Sequence, residues 1–202
     1  ARVEHDAAAC ALAEYRWGAG GGAARLIYLT CGTGFGAGFV FDGRVYCGAG
    51  GMNVELGHMI IADDGPVAFG QRGSAEALCA GQALGRIAAW LFPERWEKNP
   101  PASAEISRLV AAGDAEAEAV TRLNAQSVGR VCAILGDMLR PDLIMLGSLA
   151  QYLGPPWVDM VRAQFVAEAL PASAQACRIM PASLGSRLQD LSALVVALEE
   201  SV

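Results

Sequence analysis

Lysine is almost absent. Of the 15 basic residues in this 202-residue chain 14 are arginine, and Lys98 stands alone. A P-loop needs Lys followed by Ser or Thr, and Lys98 is followed by Asn99, so that way of holding a nucleotide is excluded. Basic runs are missing as well, and with a net charge of −6 the chain offers no phosphate-tracking surface for nucleic acid. The six cysteines (Cys10, Cys31, Cys47, Cys79, Cys132, Cys177) form no C-x-x-C pair and no metal-ligand spacing, which predicts free thiols in a reducing cytosol. Long apolar runs are lacking too. Residues 26–41 come nearest to the ~18 of a membrane span and are broken by Gly and Thr, so no membrane association is expected. The opening Ala-Arg-Val-Glu-His-Asp has neither an initiator Met nor an apolar signal region, and it reads as a piece of something longer.

What is present is small and apolar. Hydrophobic residues make up 53%, but 38 of them are Ala, so the core is expected to be finely grained. Such a chain should still bury roughly 70% of the surface its unfolded form exposes, without disulfides. Residues 7–17 are helix formers preceded by Asp6 in an N-cap position. Residues 26–31 form a β-rich run, GTGFGAG follows as a loop, and FVFDGRVY turns at Asp42-Gly43 as a hairpin. HMIIA predicts a short buried strand. Apolar spacing predicts one helix over 75–91, stopped by PERWEKNPP, and further helices over 103–112, 115–139 and 156–169. DLIMLG and CRIM are strand candidates, and Leu188, Leu191, Leu194, Val195 and Leu198 line one face of a last helix. With no repeat and no low-complexity linker, residues 1–202 are expected to form a single α/β domain.

Gly32-Thr33-Gly34-Phe35-Gly36-Ala37 satisfies the G-x-G-x-x-G/A pattern after a strand, yet no helix follows it. The Rossmann site depends on that helix N-terminus for its pyrophosphate, so a dinucleotide site is not expected. From the residues alone the loop is either a nest of backbone N–H groups for phosphate or a plain tight turn.

Taken in order, VEHDAAACALAEYRWGAG, LIYLTCGTGFGAGFVFDGRVYCGAGG, VELGH, GSAEALCAGQALGR, RPDLIMLGS and ASLGSRLQDLSALVVAL resemble the C-terminal portion of the ROK family (repressor, open reading frame, kinase). The resemblance implies an actin-like, ribonuclease H-like α/β sugar-kinase fold, with the N-terminal lobe absent from this chain. It implies ATP with Mg2+ as phosphoryl donor, a hexose or amino sugar as acceptor, a cytoplasmic location and a homo-oligomer. Asp6 matches the general base, and a carboxylate suits that task; an N-cap is its structural alternative. Glu55 and His58 match E-x-G-H, whose side chains bind sugar hydroxyls, although such a pair is otherwise an ordinary polar contact. His5 stands beside the base where the family has Asn, and Glu76 matches a further sugar ligand. Gly32, Thr33 and Gly34 match a phosphate loop; Gly147 and Ser148 match the turn beside the adenosine.

Departures matter equally. The family's C-x-C-G-x-x-G-C-x-E reads here from Val67 to Glu76 with all three thiolates gone, and His58 alone cannot hold a structural zinc, so no zinc is expected. Ala8 and Val54 also depart from the family pattern. The D-x-G-G-T loop for the first phosphate has no match in these residues, so the chain as given should not be a competent kinase by itself. Three readings remain: the C-terminal lobe of a sugar kinase, a sugar-sensing regulator or non-catalytic sugar-binding module, and a structural interaction lobe.

Overall fold

A computed structural model describes residues 5–198. The chain runs from α1 (Asp6–Trp17) through a glycine-rich loop into β1 (Arg25–Cys31), β2 (Phe35–Phe41) and β3 (Arg44–Val45). A small hairpin, β4 (Val67–Ala68) and β5 (Gln71–Arg72), precedes α2 (Ala75–Cys79), α3 (Ala83–Leu91), α4 (Pro93–Trp96), α5 (Ser103–Ala111) and α6 (Ala115–Leu139). Then come β6 (Leu143–Leu146), α7 (Leu149–Tyr152), α8 (Gly154–Glu168), α9 (Pro171–Ala176), β7 (Arg178–Pro181) and α10 (Leu188–Leu198). Among the described residues no helix is long and apolar enough to cross a membrane.

Five strands form one sheet in the order β3-β2-β1-β6-β7. β1 pairs antiparallel with β2 and parallel with β6, and β6 pairs parallel with β7. Alternation along β1 divides the core. Ile27, Leu29 and Cys31 pack with α2, α3, α6 and α8, whereas Leu26 and Tyr28 pack with α1 and α10. The result is helix, sheet, helix, with the parallel strands covered on both faces. On β2, Gly38 carries no Cβ that would strike the Ala7 carbonyl, and so α1 lies directly on the sheet.

Two polar side chains inside the apolar layers fix how the helices sit. Asn124 on α6 is fully buried; its amide nitrogen donates to the Leu78 carbonyl at 2.8 Å and its oxygen accepts from the Trp157 indole at 2.9 Å. One side chain thereby joins α6 to α2 and α8. Glu14 on α1 is also fully buried, accepting from the Ser183 N–H (2.8 Å), the Ser183 hydroxyl (2.6 Å) and the Leu184 N–H (2.9 Å). It ties the first helix to the segment entering α10.

The structure departs from local expectation in several places. The helix over 75–91 is two helices, because the Gly81 N–H leaves the helical ladder to donate to the Gly32 carbonyl at 2.7 Å. HMIIA makes only one bridge, Ile60 with Ser74, since the Ile61 and Ala62 N–H groups converge on a single acceptor, the Gly73 carbonyl. PERW stops α3 and then forms the short α4, with Pro93 in its first turn. Of the GTGFGAG loop only residues 32–34 are a turn; Phe35 to Gly38 belong to β2. On α10, Leu188 and Val195 are buried while Leu194 and Leu198 are exposed.

Glu14→Ala removes the acceptor of the buried Leu184 N–H together with both bonds to Ser183, and an unsatisfied buried group costs about 1–3 kcal/mol. The expected outcome is a loss of at least ~2 kcal/mol in urea unfolding, against a change within ~0.5 kcal/mol for a solvent-facing helix position.

Candidate functional site

The C-terminal ends of β1 and β6 lie side by side at the rim of the sheet. The Gly147 N–H donates to the Leu29 carbonyl at 2.8 Å, and a Cβ placed on Gly32 would lie 3.4 Å from the Ser148 hydroxyl oxygen. Above this rim opens a cavity of about 640 Å3. Its wall contains His5, Asp6, Gly32, Thr33, Gly34, Glu55, Glu76 and Ser148, brought together from residues far apart in sequence. His58 and Gly147 do not line it. His58 is exposed and stacks on Phe69, ring centroids 6.1 Å apart. Gly147 is buried one residue behind the wall, where a Cβ would collide with the Tyr28 hydroxyl, so its contribution is its small size.

Asp6 is the first residue of α1, and His5, not Asp6, occupies the N-cap position. The Asp6 carboxylate accepts from the N–H of Ala7 at 2.7 Å, with the His5 Nδ1 3.5 Å away, and its side chain is 84% exposed. A carboxylate there meets the positive end of the helix dipole and keeps an oxygen for a visitor. Glu55 is exposed and precedes the single turn Leu56–His58.

Glu76 differs from both. It is 7% exposed, on α2, and its Oε2 accepts from the Phe35 N–H at 2.6 Å, while Oε1 lies 4.0 Å from the Arg86 guanidinium. The carboxylate therefore clamps the exit of the glycine turn as well as facing the cavity. Gly81 holds the entrance: its N–H bonds to Gly32, and a Cβ there would come within 2.6 Å of the same carbonyl oxygen. Within the turn the Gly32 N–H is spent on Gly34 at 3.1 Å, and among the described residues the N–H groups of Thr33 and Gly34 have no acceptor. They are the donors an anion could take.

Thr30, Gln82, Ser103, Tyr152 and Gln189 also line the cavity and had no local motif to mark them. Thr30 could have been found from strand alternation, because it continues the face of Leu26 and Tyr28 toward the start of α1. Ser103 donates to the Gly81 carbonyl at 2.9 Å, a contact visible only in three dimensions. Cys31 reaches the wall as a neutral thiol, since burial pushes its ionisation up to about 12. It is neither a base nor a nucleophile at neutral pH.

The residues present do not suit the zinc that the family resemblance implies. Among the described residues no three His, Cys, Asp or Glu side chains are grouped to hold a metal ion. His58 faces the Phe69 ring instead of thiolates. Elemental analysis of the purified protein is expected to find well under one zinc per chain, and a stoichiometric content would contradict this geometry.

The chain matches the sequence profile of the ROK family over residues 1–198. It is 30% identical over 195 residues to a glucokinase of Halalkalibacterium halodurans, covering 91% of this chain and 59% of that protein. Among solved structures it is similar to a ROK hexokinase from Thermus thermophilus, with a TM-score of 0.79 and 33% identity over 96% of this chain and 65% of that one. A ROK family glucokinase from Streptomyces griseus, in complex with glucose and AMPPNP, matches with a TM-score of 0.80 and 29% identity over 95% of this chain and 66% of that one. The chain thus spans about three fifths of the curated glucokinase and two thirds of these solved chains. With its sheet order, its paired strand-end turns and this match over nearly its whole length, the chain belongs to the ROK family and has the actin-like sugar-kinase fold.

Proposed function

We propose that the protein containing this chain transfers the γ-phosphoryl group of ATP to a hydroxyl of a hexose or amino sugar. The observation that carries this reading is one cavity in which the Asp6 carboxylate, at a helix N-terminus, and the free N–H groups of Thr33 and Gly34 share a wall. One end of such a cavity suits an alcohol to be deprotonated, the other a polyphosphate. The names of the relatives, glucokinase and hexokinase, support the same assignment.

Asp6 takes the proton of the attacking sugar hydroxyl as that oxygen bonds to the γ-phosphorus and the bond to the ADP oxygen breaks. Glu55 and Glu76 accept hydrogen bonds from other hydroxyls, which orients the acceptor. The Thr33 and Gly34 N–H groups hold phosphate oxygens, and Ser148 lies against the same turn from β6. Mg2+ accompanies the nucleotide and offsets its charge. Because positioning supplies most of the rate in phosphoryl transfer, these held groups matter more than any single strong base.

Asp6→Asn keeps the shape and the bond to Ala7 but cannot take a proton. In the full-length protein it is expected to lower kcat at least ~100-fold while sugar affinity moves far less. A turnover within a few-fold of wild type would leave Asp6 a structural residue. Gly34→Ala tests the phosphate end. The added Cβ would lie 3.5 Å from the Glu76 carboxylate, an ordinary contact, and Gly34 has no positive φ, so the fold should be kept. Calorimetry should show AMPPNP binding weakened by a factor of about ten with sugar binding little changed, because a methyl group beside the free donors crowds the anion.

A further inference from the structure

The hairpin formed by β4 and β5 closes on a two-residue turn, Phe69-Gly70, with Ala68 paired to Gln71. Both turn residues have positive φ, +48° at Phe69 and +75° at Gly70. The same turn occurs once more among the described residues. Asp42-Gly43 joins β2 to β3 with φ values of +49° and +78°. That hairpin uses the residue types its geometry asks for, because short polar side chains and glycine tolerate the left-handed region. The first hairpin places a phenylalanine where Asp or Asn belongs, and a bulky residue there is a genuine outlier.

Burial does not offset that strain. Phe69 is 76% exposed, the most exposed of the large apolar side chains among the described residues. Its ring stacks on His58 at an interplanar angle of 25° and also lines the cavity beside Val54 and Glu55. Strain that neither packing nor turn chemistry repays collects where a ligand is handled.

We infer that Phe69 is a specificity-determining residue whose ring stacks on the C–H face of a bound pyranose. This rests on the sugar-binding reading of the cavity and adds the substrate's shape to it. A pyranose in its chair form has a polar rim of hydroxyls and flat patches of C–H bonds. The rim matches Glu55 and Glu76. The C–H patch carries slight positive charge and matches the negative face of an aromatic ring, and stacking also removes apolar surface of both from water. His58, packed against the ring, holds it in place. The acceptor favoured is a pyranose with an unbroken C–H face, over furanoses and open-chain polyols, which lack one.

The test uses the full-length protein with three variants, Phe69→Asn, Phe69→Leu and Phe69→Tyr, titrated with glucose and N-acetylmannosamine and followed by thermal unfolding. Phe69→Asn restores a residue suited to the turn. It is expected to raise Tm by a few degrees and to weaken binding of the better-bound sugar about tenfold or more. Phe69→Leu keeps apolar bulk without the ring and should weaken binding similarly. Phe69→Tyr keeps the stack and should bind like wild type. Sugar binding by Phe69→Asn within twofold of wild type, with a raised Tm, overturns the inference and leaves the kinase reading standing. A wild-type protein that binds neither of these two nor any of a panel of other hexoses and N-acetylhexosamines overturns the kinase reading itself, and the inference with it.

Discussion

Parallel pairing of β1 with β6 is the constraint on which the site depends. The register sets Leu29 opposite Leu146, so both strands end at the same level and both following turns emerge together. One turn carries Gly32 to Gly34, the other Gly147 and Ser148. β2 runs antiparallel on the other side of β1, which makes β1 the strand where the sheet changes direction. Crevices beyond the carboxyl ends of neighbouring parallel strands are where open α/β sheets receive ligands. A parallel pair also has to be covered on both faces, and β6 is fully buried along its length. The helices that cover it then become available as walls.

Those walls are held by a chain of polar contacts that reaches from the far side of α6 to the cavity. Trp157 bonds to Asn124, Asn124 to the Leu78 carbonyl on α2, and Glu76 on α2 to the Phe35 N–H at the end of the glycine turn. Each such bond adds only about 0.5–1.5 kcal/mol to net stability, but leaving a buried member unpaired costs more than making the bond gains. The chain therefore selects one placement of α2 against its alternatives more than it deepens the fold. The Glu76 carboxylate thus faces the cavity and clamps the turn at once.

Legibility in the sequence followed the range of the forces involved. The Asp42-Gly43 hairpin, the 25-residue α6 and the strand LIML were readable because turn chemistry and periodicity are local. The break between α2 and α3 was not, since its cause is a bond from Gly81 to Gly32, some fifty residues away in sequence. No local pattern marks Glu14 for burial, and only its partners at 183 and 184 explain it. In the site, family likeness supplied Asp6, Glu55, Glu76, the glycine turn and Ser148, which the fold gathers round one cavity. The same likeness placed His58 among sugar ligands; its ring stacks on Phe69 and it does not line the cavity.

The hairpin before α2 is held by contacts that need no metal. Val67, Phe69 and Ser74 stand where the family resemblance implies thiolates, and Val67 and Ser74 take part in other contacts. Val67 pairs with Arg72 across the hairpin, and Arg72 reaches the Gly65 carbonyl at 2.9 Å and the Asp64 carboxylate at 3.2 Å. The Gly73 N–H donates to the Pro66 carbonyl, while its own carbonyl accepts from Ile61 and Ala62. Ser74 caps α2, its hydroxyl accepting from the Ala77 N–H at 3.2 Å. A cap hydroxyl fixes the first turn of a helix at modest energy, and Glu76 sits in that first turn. The bracing a metal would have given from outside is thus supplied by the backbone pairing of the hairpin and by one serine next to the helix it has to hold. Only Phe69 is left without a structural use that matches its strain, which is why function is the place to look for one.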